Sequence, residues 1–217
     1  MDIKGLGFSK EEIREITIST LILAFIFYYP GFSAFFSELG IVGFLKYMFF
    51  FIILGLAFIP HELAHKFMAM KYGCFAQYQM WMGGLKFALL MVFMTNGSFA
   101  FAAPGAVVIY TSFRDHLGVR HVTITKKQNA YISMAGPLTN FAMAALMIPF
   151  MAIPLMAIPG ISYMAIPGIS SLAGSIYYVN VFLGLFNMIP FGPLDGTKVF
   201  VWDKVYWGAI IALGLMM

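Results

Sequence analysis

Residues 49–59 form an unbroken apolar run that leads through Pro60 straight into His61-Glu62-Leu63-Ala64-His65. Within lipid only a helix or a closed barrel can satisfy its own backbone, and about 20 apolar residues in a helix span a bilayer. The run therefore demands a helix, and the H-E-x-x-H pentad must be read on it. Its first and fifth positions fall on one face, about one turn apart. Two imidazoles placed so can ligate a single Zn²⁺, with Glu62 close to the water such an ion carries.

The rest of the chain belongs to the same environment. Of 217 residues, 61% are hydrophobic and 10% charged, against about 25% charged in a soluble domain. The expected fold is mainly α: a polytopic, multi-pass membrane protein with five to six transmembrane helices, forming one domain over 1–217. The net charge of +4 is no sign of nucleic-acid binding here, and nucleic-acid partners are not expected. One cysteine, Cys74, excludes an internal disulfide and a four-cysteine zinc site, and it reads as an inert interfacial residue. The mixed charges of residues 1–14 are not the basic start of a signal peptide, so the first apolar run is expected to be a retained anchor.

The expected spans are 16–36, kinked at Pro30-Gly31, then 41–70, 130–149, 171–189, and one from 199 that is still apolar at Met217. That last run suggests a chain cut before a final helix. Residues 77–110 are apolar but broken by Gly83-Gly84, Lys86, Asn96-Gly97 and Pro104-Gly105. Asn-Gly between apolar runs signals a hairpin, so strands are expected at 87–94 and 98–103, in a small membrane-associated β-sheet between the second and third spans. One further span is the alternative. With the N-terminus cytoplasmic and 77–110 not spanning, every Lys and Arg but Lys46 falls on the cytoplasmic side, as the positive-inside rule favours. Residues 150–170, with Met-Ala-Ile-Pro three times over, read as an apolar connector without assigned function.

A catalytic zinc takes three protein ligands and keeps one position open. His116 and His121 lie among Arg114, Arg120, Lys126 and Lys127 and read as solvated; Asp115 and Asp203 adjoin basic residues and read as surface charges. Asp195 follows Asn187-Met188-Ile189-Pro190-Phe191-Gly192-Pro193-Leu194 at the end of the fourth span. An acid at a Pro- and Gly-broken helix end can be aimed back into a bundle, and ionisable groups at membrane depth are costly and usually functional. About 20 residues into its span, at 1.5 Å each, His61 lies in the cytoplasmic third, the depth expected for Asp195. Pro60 loosens the backbone beside it, a route for water.

H-E-L-A-H on such a helix, followed far downstream by N-x-x-P-x-x-P-L-D-G, resembles the site-2 proteases, the intramembrane zinc metalloproteases, and looks like an archaeal member. The resemblance covers about 40–200, taken as the catalytic core. It implies one Zn²⁺ per chain on His61, His65 and Asp195, with Glu62 as catalytic base. It also implies protein substrates cut within their transmembrane segments, in a cell-membrane enzyme. Gly136-Pro137-Leu138-Thr139-Asn140 resembles a further family signature, which makes Asn140 and Asn187 candidate substrate contacts. For Asn140 the competing role is a helix–helix hydrogen bond. An edge strand from 77–110 would hold the substrate extended by β-addition. The alternative function is a metal-binding transporter or channel, which would need no general base between its two histidines.

Overall fold

The structure is a computed structural model that describes residues 8–37, 40–98, 104–115, 118–151 and 169–217. It is mainly helical and divides into two compact units, Met1–Thr125 and Lys126–Met217. The helices Ile41–Lys71 and Lys126–Met151 are long and apolar enough to cross a membrane.

The first unit opens with α1 (Lys10–Tyr28), capped by Ser9, whose Oγ accepts the Glu12 N–H at 3.0 Å. Ser9 and Glu12 have the spacing of a capping box, but the Glu12 side chain leaves the helix end for other partners. Where one kinked span over 16–36 was expected, the helix ends at Tyr28. Gly31, at φ 92°, turns the chain into the short α2 (Phe32–Ser37). Only glycine takes that conformation without strain, so the element breaks rather than bends. Helix α3 (Ile41–Lys71) runs 31 residues through Pro60 and packs on α1; Leu23 and Ala24 of α1 and Ile53, Leu54 and Ala57 of α3 are buried.

Residues 75–110 differ from the expected hairpin. Strand β1 (Phe75–Met80) is followed by helix α4 (Met82–Met94), then by β2 (Gly105–Tyr110), which pairs antiparallel with β1, Gln77 opposite Val108. The strand expected at 87–94 is helical. That expected at 98–103 lies, apart from Ser98, outside the described residues. Asn96-Gly97 is not a hairpin turn but a helix stop. Asn96 (φ 52°) and Gly97 (φ 82°) are left-handed, Gly97 N–H reaches Val92 O at 2.8 Å, and Asn96 N–H reaches Phe93 O at 3.2 Å. This is the Schellman arrangement. The same positive φ serves hairpins and helix ends alike, so the dipeptide could not tell them apart. Asn96 Oδ1 also accepts the Phe32 N–H at 2.7 Å, tying the end of α4 to the start of α2. Strands β3 (Ser112–Asp115) and β4 (Gly118–His121) form a second antiparallel pair, with His121 exposed at its end. His116 falls outside the described residues, as does most of 150–170. Cys74 is buried, and burial pushes its thiol pKa up.

The second unit packs α5 (Lys126–Met151) against α6 (Ile169–Asn187), α7 (Asp195–Trp202) and α8 (Lys204–Leu215). Phe141, Met134, Met188, Val199 and Ile210 make its core. Gly184 and Gly214 lie against the Phe141 ring, where a side chain would collide; small residues at such crossings let helices approach closely. The run expected to continue as one span from 199 is broken at Asp203, whose Oδ1 caps α8 by accepting the N–H of Val205 at 2.8 Å and of Tyr206 at 3.2 Å. Asp203 thus also serves as a helix cap, favoured there because a short carboxylate satisfies N–H groups the helix leaves unpaired.

Candidate metal centre

His61, Glu62 and His65 sit mid-helix on α3 and are all buried. Helical spacing places the two imidazoles one above the other. Their Nε2 atoms are 3.1 Å apart, with ring centroids 4.7 Å apart and planes at 84°. Two nitrogens held by one tetrahedral zinc, each at about 2.0–2.1 Å, stand about 3.3 Å apart. The pair is therefore already spaced for a shared ion. Pro60 lacks the N–H that would bond the Leu56 carbonyl, which frees one acceptor on the turn before the pair.

Asp195 is the first residue of α7 and is 9% exposed. The chain reaches it through a tight path. Helix α6 stops at Asn187, Gly192 is left-handed at φ 61°, and Thr197 Oγ1 donates to the Gly192 carbonyl at 3.2 Å. Gly196 lies flat on the Met188 carbonyl, where any Cβ would overlap it. The same carbonyl accepts the indole N–H of Trp207 at 2.7 Å. The Leu-Asp-Gly order thus has a local cause: the glycine lets α7 start against the end of α6, and that contact fixes the carboxylate. Gly196→Ala is expected to cost about 1–3 kcal/mol by overpacking and to displace Asp195; thermal unfolding and zinc content together would read it. The helix N-terminus favours the Asp195 charge. Lys198, half exposed at 3.5 Å, adds little, as exposed ion pairs do.

His61 and His65 are buried imidazole donors and Asp195 a buried carboxylate, each of a kind that a metal ion takes. Two imidazoles and a carboxylate suit zinc and match the composition of many catalytic zinc sites. The two asparagines fare differently. Asn140 is fully buried, and its amide donates to Asn180 Oδ1 at 2.8 Å, joining α5 to α6. Asn187, half buried at the end of α6, donates to the Leu183 carbonyl of its own helix at 3.0 Å.

Sequence reasoning missed a second buried polar cluster around α3. Lys66 Nζ lies 2.5 Å from Glu12 Oε2, both side chains being at most 4% exposed, and 4.1 Å from the centre of the Phe8 ring. Glu12 Oε1 accepts the Tyr78 N–H at 3.0 Å, and Glu15 Oε2 accepts the Met80 N–H at 2.9 Å. The Tyr78 hydroxyl bonds Ser19 Oγ at 2.8 Å, and burial first, then the Glu62 carboxylate, push its pKa far up. Charge placement assigns Lys66 only to a side of the membrane; the structure buries its side chain against Glu12 of α1. The one available signal was a lysine immediately after the second histidine of an apolar pentad, where a solvated end is out of reach.

Comparison with known proteins identifies a curated protein of Methanocaldococcus jannaschii, named "Putative zinc metalloprotease", that is 38% identical over 209 residues, 96% of this chain and 93% of the relative. The chain belongs to that zinc metalloprotease's family. The matched stretch covers nearly the whole length of both proteins. No family model and no solved structure matches.

Proposed function

We propose that this protein is an intramembrane zinc metalloprotease of the site-2 type, cutting protein substrates within their transmembrane segments. The observation that carries the reading is the buried His61–His65 pair, spaced for one ion and flanking Glu62, on a 31-residue helix apolar enough to span a bilayer. The nearly full-length relationship to a protein named for the same activity supports it.

In this reading His61, His65 and Asp195 hold one zinc per chain. When bound, zinc polarises the scissile carbonyl and lowers the pKa of a water to about 7. Glu62 takes the proton of the attacking water and later returns it to the leaving amine, as a general base and then acid. The buried position of Glu62 keeps its hydrogen bonds from competing with bulk water, and the gap Pro60 leaves in the helix ladder gives a water its entry. A peptide bond in a substrate helix is shielded by its own backbone bonds, so the substrate must unwind before attack. In this reading Asn187, half buried at the end of α6, meets that unwound segment, and Asn140, whose amide also joins α5 to α6, is the second candidate contact. On the same reading the N-terminus lies in the cytoplasm and the centre in the cytoplasmic third of the bilayer, a topology supported by the placement of every Lys and Arg but Lys46.

The test uses full-length protein in liposomes with a membrane-anchored reporter. Chelation is expected to abolish cleavage and added Zn²⁺ to restore it, with product ends mapping inside the reporter's apolar segment. Cleavage that survives complete zinc removal, or maps only to soluble flanks, would sink the reading.

A further inference from the structure

We propose that Glu12 is a positioning residue for Glu62: it holds the Lys66 ammonium so that Lys66 does not pair with Glu62. The inference rests on Glu62 being the general base, as proposed above. Lys66 follows Glu62 by four residues on α3. Glu followed by Lys at that spacing is the favourable order for an ion pair along a helix. In a buried setting that pull is stronger than on a surface. A lysine clamped to Glu62 would occupy the oxygens that must receive a proton, and would hold the carboxylate along the helix rather than toward the substrate.

The structure shows where Lys66 goes instead. Its Nζ lies 2.5 Å from Glu12 Oε2 and over the Phe8 ring at 4.1 Å. Glu12 in turn is fixed from two sides. Its backbone N–H is held by the Ser9 cap, and its second oxygen takes the Tyr78 N–H at 3.0 Å. Ser9 Oγ is itself bonded by Gln77 Nε2 at 3.0 Å. Helix α1 and strand β1 thus jointly present one carboxylate to the lysine beside the catalytic pentad. Among the described residues, the charged group on Lys66 from a neighbouring element is Glu12 of α1; on its own helix Glu62 stands four residues before it.

The arrangement makes a specific demand on a double variant. In Glu12→Gln a single carbonyl oxygen must serve both the Tyr78 N–H and Lys66, and Lys66 turns to Glu62. Assayed as full-length, zinc-loaded protein in liposomes, Glu12→Gln is expected to lose about thirtyfold in kcat, within the range a general base contributes, with KM and the zinc Kd from chelator competition within about threefold of wild type. Glu12→Gln/Lys66→Met is expected to return to within about fivefold of the wild-type kcat, because the competing cation is gone. A Glu12→Gln kcat within about threefold of wild type would overturn the proposal. So would a double variant as slow as the single, or a zinc affinity that falls in step with kcat, since Glu12 would then act only through the fold. Should Glu12→Gln not fold, the double variant, which buries no lone charge, decides by the same fivefold and thirtyfold limits. Glu62→Ala in the same assay separates the two readings: if it still cuts, the protease assignment fails; if it is inactive while Glu12→Gln is normal, only the role of Glu12 fails.

Discussion

Glu62→Ala is expected to lower kcat by about 10²–10⁴-fold, the contribution of a positioned general base, with zinc content unchanged. The separation of the two readouts follows from the geometry. His61 and His65, whose Nε2 atoms stand 3.1 Å apart, carry the ion without Glu62, and the helix is indifferent to Ala at an interior position. A metal carrier built from the same histidines would behave otherwise, since flux needs binding and release but no proton acceptor. Single-turnover cleavage of a membrane-anchored reporter, with metal analysis of the same preparation, distinguishes them. Cleavage at the wild-type rate would refute the mechanism; loss of zinc along with activity would show Glu62 to be a structural residue instead.

The largest stability effect is expected at the Glu12–Lys66 pair. Both side chains are at most 4% exposed, and removing one member of a buried pair leaves the other charge uncompensated, at about 3–5 kcal/mol. Glu12→Ala should therefore lower the unfolding midpoint markedly in detergent. Glu12→Leu/Lys66→Met should recover most of the loss, since replacing a whole buried pair with apolar groups of similar size is often neutral or stabilising. Equal destabilisation in the single and double variants would mean that the loss comes from the other contact of Glu12, the Tyr78 N–H, and not from an uncompensated Lys66 charge.

The candidate centre was legible in sequence because its information is local. Two histidines four apart on an obligatory helix have nowhere to go but the same face. Asp195 was legible because a lone acid after a Pro- and Gly-rich break, at the end of an apolar span, is costly there unless it turns inward to a partner. Gly196 against the Met188 carbonyl supplies the local cause. The Glu12–Lys66 pair was not legible: its members are 54 residues apart, and nothing in either segment encodes the register of α1 against α3. Residues 75–110 were misread for a different reason. Apolar residues without alternation fit a strand or a helix equally, and Asn96-Gly97 ends a helix with the same left-handed backbone that closes a hairpin. The long spans were recognisable as apolar, yet their ends were set by single residues: Gly31 stops α1 from extending, and Asp203 starts a new helix.

The carboxylates of Glu12 and Glu15 also have a consequence for how the sheet meets other chains. They take the N–H groups of Tyr78 and Met80, which point away from β2. One flank of the two-stranded sheet is thereby filled by side chains from α1, as a third strand would fill it. Exposed strand edges invite pairing with any extended polypeptide nearby, and this flank no longer extends the invitation. The other edge of the pair belongs to β2, where Val107 stands opposite Tyr78 in a position that turns its N–H and carbonyl away from β1. The sheet is in this sense one-sided: two carboxylates of α1 cover N–H groups on one of its flanks and leave the other to β2.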